Sequence, residues 1–215
     1  MIDWRQYDTV LLDMDGTLLD LAFDNYFWRE LVPRCLSRTR GQKTKWTSAE
    51  LFERFALKQG SLDWYCLDYW SEELDLDLRS LKSACSQRIR FLPGARDFLN
   101  TLAAWRKRVI LVTNAHGHTL AVKKGVVGLE QYFDVFISAH ELGFAKEQAE
   151  FWPLLQSRLD FDPGATVFVD DSARVLDAAL AFGIHSVVAV TYPDTRMAVK
   201  DSGIHRGVRR VANLI

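Results

Sequence analysis

Four short apolar runs, far apart along the chain, restrict the fold more than any other feature. They are Thr9-Val10-Leu11-Leu12, Val109-Ile110-Leu111-Val112, Thr166-Val167-Phe168-Val169 and Val187-Val188-Ala189-Val190. Each is continuous rather than alternating, as expected of strands covered on both faces. Helical patterns lie between them. Ala95, Phe98, Leu99 and Leu102 follow the i, i+3, i+4, i+7 rule just after Pro93-Gly94. Ser172 is positioned to cap a helix carrying Val175, Leu176, Ala179 and Leu180, which should stop before Gly183. Strands alternating with helices give an α/β fold with a parallel sheet, and such sheets bind ligands at the carboxyl ends of their strands.

Residues 20 to about 90 break this rhythm and hold no convincing strand. Thr47-Ser48-Ala49-Glu50 has capping-box spacing, and the helix it opens should end at Gly60. Leu62, Tyr65, Cys66 and Tyr69 predict a further helical face. The stretch also concentrates aromatics: Phe23, Tyr26, Phe27, Trp28, Trp46, Phe52, Phe55, Trp64, Tyr65, Tyr69 and Trp70. It reads as a helical insert, with residues 38–45 as a mobile basic loop containing Arg40 and Lys43.

The charge balance excludes other classes. Lys+Arg 27 against Asp+Glu 28 leaves a net charge of −1, which argues against a nucleic-acid binder driven by bulk charge. No run approaches the ~18 apolar residues of a membrane helix. The start, Met1-Ile2-Asp3-Trp4-Arg5, lacks the apolar core of a signal peptide. Cys35, Cys66 and Cys85 are odd in number and form no C-x-x-C pair. The expectation is a cytoplasmic protein without a disulfide framework, a zinc site or an obligate protein partner.

Acidic residues stand where two of the apolar runs end. Asp13-Met14-Asp15-Gly16-Thr17 follows the first, and Asp170-Asp171-Ser172 follows the third. Carboxylates this close either raise one another's pKa or demand a cation. A turn would also use Asp and Gly. Thr113-Asn114 ends the second run. Lys146 stands at an expected helix start, where its charge opposes the macrodipole.

Together these residues resemble the haloacid dehalogenase superfamily. Its pattern is an Asp-x-Asp opening, a Thr or Ser after the next core strand, a Lys, and an acidic pair. Asp13 to Trp28, Trp64 to Glu72, Val112 to His116 and Asp170 to Ser172 resemble more closely its bacterial 5′-nucleotidases for GMP and IMP. The likeness is poor between about Cys35 and Lys58 and after about Arg196, and Ala145 stands where relatives often carry proline. The resemblance implies a Rossmann-like core of residues 1–19 and 91–215 with a helical cap, residues 20–90. It implies Asp13 as nucleophile, Asp15 as general acid and base, and Thr113, Asn114 and Lys146 around the phosphoryl oxygens. It also implies Mg²⁺ held by Asp13, Asp15 (through its carbonyl), Asp170 and Asp171. The substrate would be a small phosphate monoester, with Phe23, Trp64, Tyr65 and Tyr69 as candidate base contacts.

Other residues carry plainer readings. His116 and His118 suit a local hydrogen bond or an exposed turn, Asp177 the surface or a supporting contact, and Arg206, Arg209 and Arg210 a solvated helix face. Three alternatives stay open: a phosphatase for another metabolite such as a sugar phosphate, a phospho-accepting signalling domain, and a non-catalytic binding protein.

Overall fold

The computed structural model describes residues 2–38 and 48–215. Six strands form one all-parallel sheet: β1 (Thr9–Leu12), β2 (Arg108–Thr113), β3 (Val135–Ser138), β4 (Thr166–Asp170), β5 (Ser186–Val190) and β6 (Arg206–Val208). Their order is β3-β2-β1-β4-β5-β6, so β1 lies between β2 and β4. Leu11 pairs with Ile110 on one side and Phe168 on the other. The chain crosses from β1 to β2 on one side and returns to β4 on the other. The carboxyl end of β1 is therefore a topological switch point, where such sheets open a crevice.

The four expected strands all form. The edge strands β3 and β6 are additional. Both faces of the sheet are covered, which accounts for the unbroken apolar runs. Val10, Leu12, Leu111 and Val169 pack into one cluster with Phe98, Leu99 and Leu102. Leu11, Ile110, Val112 and Phe168 pack into another with Trp152 and Leu176. Successive strand residues point to opposite faces, so β1 feeds both clusters. Truncating any of these buried leucines to alanine would cost ~2–5 kcal/mol.

The regular elements described within 20–90 are all helical. α1 (Ala22–Tyr26) runs through a π-helical turn, Phe27–Leu31, into α2 (Val32–Arg38). Then come α3 (Ser48–Lys58), α4 (Leu62–Tyr65), α5 (Leu67–Leu74) and α6 (Leu78–Ala84). α3 stops before Gly60, which takes a left-handed φ of 87°. Thr47, Trp46 and nearly all of the anticipated basic loop lie outside the described residues. The face expected from Leu62 to Tyr69 is two helices rather than one. The chain breaks at Cys66 (φ −83°, ψ 112°), whose Sγ accepts from the Tyr69 N–H and caps α5.

Both ends of this helical stretch meet at one junction outside the sheet. The Asp20 N–H donates to the Arg90 carbonyl at 3.0 Å, and the Leu92 N–H to the Leu18 carbonyl at 2.8 Å. Leu19 and Phe91 form a β-bridge between them. The buried Asp20 carboxylate ties the junction down, accepting from the Arg90 guanidinium, the Thr195 hydroxyl and the Ala22 N–H.

The remaining helices are α7 (Ala95–Ala104), α8 (Gly117–Val127), α9 (Phe151–Leu159) and α10 (Ala173–Phe182). α10 ends at Gly183, as expected, but the Ser172 side chain makes no capping bond. The C-terminal arginines are not on a helix face. Arg206 opens β6, while Arg209 and Arg210 lie over the Tyr192 ring. Among the described residues, no helix is long and apolar enough to cross a membrane.

Candidate active site

Asp13 leaves β1 directly at the switch point, its N–H bonded to the Val169 carbonyl at 3.0 Å. The next residues curl tightly, with the N–H groups of Leu18 and Leu19 both donating to the Met14 carbonyl. Gly16 has a φ of 89°, and a Cβ there would lie 2.7 Å from Asp171 Cγ and 2.9 Å from Pro193 Cβ. Only glycine lets this turn press against Asp171.

Lys146 joins the acids. Its Nζ is 2.6 Å from Asp13 Oδ1 and 2.7 Å from Asp170 Oδ2, and it also donates to the Val112 carbonyl. It lies in a turn before α9 rather than at a helix start, so the macrodipole is not what singles it out. Burial opposes its charge, but Asp13 and Asp170 outweigh burial and hold the ammonium well above its ordinary value. Asp13 rises to about 6 because burial, then repulsion from Asp170, exceeds the pull of Lys146. Asp170 and Asp171 also rise to about 6, chiefly through burial.

Asp13, Asp170 and Asp171 each bring a carboxylate oxygen within 4.8 Å of the others. Asp13, Asp170 and Asp171 face the buried Lys146 and, at Asp171, the half-exposed Lys200, which leaves one negative charge in excess. Hard oxygen donors with uncompensated charge are the environment a small divalent cation requires. Asp170 spends Oδ1 on the Ser172 N–H and Oδ2 on Lys146. Asp171 accepts from Lys200 through Oδ2, and its Oδ1 has no described partner. The Asp15 carboxylate is not in this cluster.

Thr113 and Asn114 are buried at the end of β2. The Thr113 hydroxyl accepts from the Ala115 N–H, and Asn114 Oδ1 accepts from the Lys146 N–H at 2.9 Å. Asn114 Nδ2 donates to Glu147 Oε2, while the Tyr65 hydroxyl donates to Glu147 Oε1 at 2.6 Å. Burial, reinforced by Glu147, pushes the Tyr65 phenol well above its ordinary value. Glu147 did not stand out in the sequence, where it is one more acid beside a lysine.

Lys123, on α8, was also missed. It is 1% exposed, and its Nζ lies 2.6 Å from Asp15 Oδ1 and 2.6 Å from Asp24 Oδ2. Asp24 Oδ1 accepts in turn from the buried Lys82 at 2.9 Å. Asp15 rises to about 6, mainly through burial. Burial also works against the charge of Asp24, but Lys123 and Lys82 outweigh it and hold Asp24 at about 2. A signal existed in the sequence: Lys123 falls at i+3 from Leu120 on the helix face that is buried.

A cavity of about 650 Å³ opens over these groups, lined by Asp13, Asp15, Thr113, Asn114, Lys146, Asp170 and Asp171. Aromatic side chains share the lining: Trp28, Phe52, Phe55, Trp64, Tyr65 and Trp70, together with Asn25, Arg29 and Gln59. Of the aromatics expected to meet a ligand, Trp64 and Tyr65 line it. Phe23 does not; it is buried in the core, with the Lys82 and Lys123 ammoniums over its ring. Nor does Tyr69, which packs edge-on against Trp70. His116 accepts from the His118 N–H and faces Asp68 at 3.5 Å, His118 meets Ser83, and Asp177 pairs with His205. None of these lines the cavity.

The family model for haloacid dehalogenase-like hydrolases matches residues 7–183, and the chain belongs to that family of enzymes. Across its whole length it is 41% identical over 214 residues to a GMP/IMP nucleotidase of Escherichia coli (strain K12), covering 96% of that protein. It is 32% identical over 192 residues to a phosphoglycolate phosphatase of Nitrosospira multiformis, covering 85% of this chain and 82% of that one. Among solved structures, a haloacid dehalogenase-type phosphatase from Thermococcus onnurineus superposes with a TM-score of 0.75. Its identity is 24%, with 96% of this chain and 95% of that chain covered.

Proposed function

We propose that this protein is a Mg²⁺-dependent phosphomonoester hydrolase that works through an aspartyl phosphate and prefers purine nucleoside 5′-monophosphates, GMP and IMP first. One observation carries the reading. The acids, Thr113 and Lys146 line the same cavity as six aromatic side chains of the 20–90 stretch. That arrangement suits a ligand that is dianionic at one end and flat and apolar at the other.

In this mechanism Asp13 attacks phosphorus and the ester P–O bond breaks. Asp15 gives its proton to the departing alcohol oxygen. Asp15 then takes a proton from water as that water attacks phosphorus. The bond to Asp13 breaks, and inorganic phosphate leaves with Asp13 restored. Thr113 and Lys146 hold the phosphoryl oxygens, Lys146 by exchanging one of its three Nζ bonds for phosphate, and Asn114 orients Lys146 by accepting its main-chain N–H. Fixed donors of this kind are each worth ~3 kcal/mol or more in the transition state. Asp13, Asp170, Asp171 and the Asp15 carbonyl would hold Mg²⁺, which supplies charge neutralisation when bound.

Residues 20–90 act as a cap over a core of 1–19 and 91–215. Support comes from the single junction where the stretch departs and returns, and from the Tyr65–Glu147 bond that draws it onto the catalytic loop. A cytoplasmic setting fits three cysteines that form no disulfide among the described residues.

The testing experiment is phosphate release from a panel of monoesters, with and without Mg²⁺. GMP and IMP should exceed ribose 5-phosphate in kcat/KM. A preference for sugar phosphates would replace the nucleotide reading with the sugar-phosphatase one, and no release from any ester would end both.

A further inference from the structure

We propose that Lys123 is a positioning residue for proton transfer, holding the Asp15 carboxylate in place and tying it to the helical stretch. The inference rests on the phosphomonoester hydrolase reading above. An ammonium has three donors and no acceptor. Two of those donors lie at 2.6 Å from carboxylate oxygens of different parents: Asp15 on the loop after β1, and Asp24 on α1. Lys82 on α6 closes the chain on the other oxygen of Asp24. The alternation Asp15, Lys123, Asp24, Lys82, with both lysines buried and both acids partly so, is thus one network that spans both ends of the 20–90 stretch.

Stability alone is a poor account of it. Burying an ion pair costs about as much in desolvation as the attraction returns. What the network does achieve is geometric. Lys123 occupies Asp15 Oδ1 and anchors that oxygen, leaving Oδ2 as the oxygen without a described partner. A general acid must lie within hydrogen-bond reach of the departing oxygen, and small misplacement is costly. Because Asp24 and Lys82 belong to the helical stretch, the placement of Asp15 follows the placement of that stretch. Lys123 itself does not line the cavity, so its effect on substrate passes through Asp15.

A proton donor matters in proportion to how badly the leaving group needs the proton. The experiment compares kcat/KM for GMP, an alkyl ester with a basic alkoxide leaving group, and for p-nitrophenyl phosphate, whose phenolate leaves unaided. Both are assayed with Mg²⁺ present. Lys123→Met should lower kcat/KM for GMP ~100-fold, the lower end of what general acid catalysis contributes. The aryl ester should lose less than ~3-fold. Lys123→Gln, which keeps an N–H donor, should shift the same ratio in the same direction by about tenfold, since one of the two supports remains. It also serves if the methionine variant fails to fold. Equal losses on both esters, or no loss on GMP, would overturn the positioning role while leaving the hydrolase reading intact. A wild-type protein inactive on both esters would overturn the two together.

Discussion

Lys146 reaches Asp13 across 133 positions of sequence and holds its Oδ1 at 2.6 Å, while the same ammonium grips Asp170 at 2.7 Å. Removing either side has opposite consequences for stability. Lys146→Met strands two buried carboxylates and should cost ~3–5 kcal/mol in the metal-free protein. Asp13→Asn removes one of three crowded negative charges, so its melting temperature should equal or exceed that of the wild type. Thermal melts of the two variants in EDTA check the contrast.

Asp13→Asn and Asp15→Asn should each lose most of the turnover of GMP. Asp13→Asn loses the nucleophile, and a fall of at least ~10³-fold is expected. Asp15→Asn loses the proton donor and should fall ~10²–10⁴-fold with the fold intact by circular dichroism. Wild-type turnover in purified Asp13→Asn would sink the nucleophile assignment.

Treatment with EDTA should abolish turnover, and Mg²⁺ should restore it. Ca²⁺ should inhibit, because it accepts more and looser ligands than the octahedral shell of Mg²⁺ and can take both oxygens of Asp13. Equal rates with the two ions would contradict the proposed metal site.

The acids also set a pH dependence for the metal-free protein. Asp13, Asp170 and Asp171 rise to about 6 in the folded state, against an ordinary 3.8. The folded state therefore binds these protons more tightly. The stability involved is fully present below about pH 4 and is lost as pH rises through 6. Asp24, held at about 2, acts in the other sense, but only below pH 4. Burial lowers His116 and His140, which oppose the acids over the same range. The decisive comparison is consequently with Asp171→Asn, which keeps both histidines. Between pH 5 and 7 in EDTA, its melting temperature should rise relative to that of the wild type. A constant difference between the two would refute the assignment.

Trp64→Ala should narrow the preference for GMP over ribose 5-phosphate. Stacking on an aromatic ring is worth ~1–3 kcal/mol per base, a factor of roughly 5 to 150. Activity on p-nitrophenyl phosphate should change much less. An unchanged GMP preference would move base recognition to another wall of the cavity.

The strands buried on both faces were legible because a continuous apolar run has few other uses, and Asp13, Asp15, Thr113, Lys146 and the acidic pair were legible because they follow those runs or stand in family order. The edge strands were not. β6 is only Arg206-Gly207-Val208 and exists because β5 offers it a partner, not through any local pattern. Lys123, Lys82 and Glu147 escaped because a charged residue reads as surface until its partner is known, and Asp15, Asp24 and Tyr65 lie far away in sequence. The aromatics of residues 20–90 could not be sorted by pattern. Periodicity and composition mark Phe23 and Trp64 alike, yet one fills the core and the other faces the cavity.

The junction at residues 18–20 and 90–92 has a wider consequence. Two main-chain bonds and the Asp20 carboxylate close it through residues at the two ends of the stretch rather than through the helices between. Joining the ends does not depend on the helices between them, so a change in the length of the stretch costs little in loop-closure entropy. The helices themselves are not detachable, because Phe27, Phe55 and Trp70 share one apolar cluster with Val10 and Leu12 of β1, and Lys123 and Tyr65 bond across the same boundary.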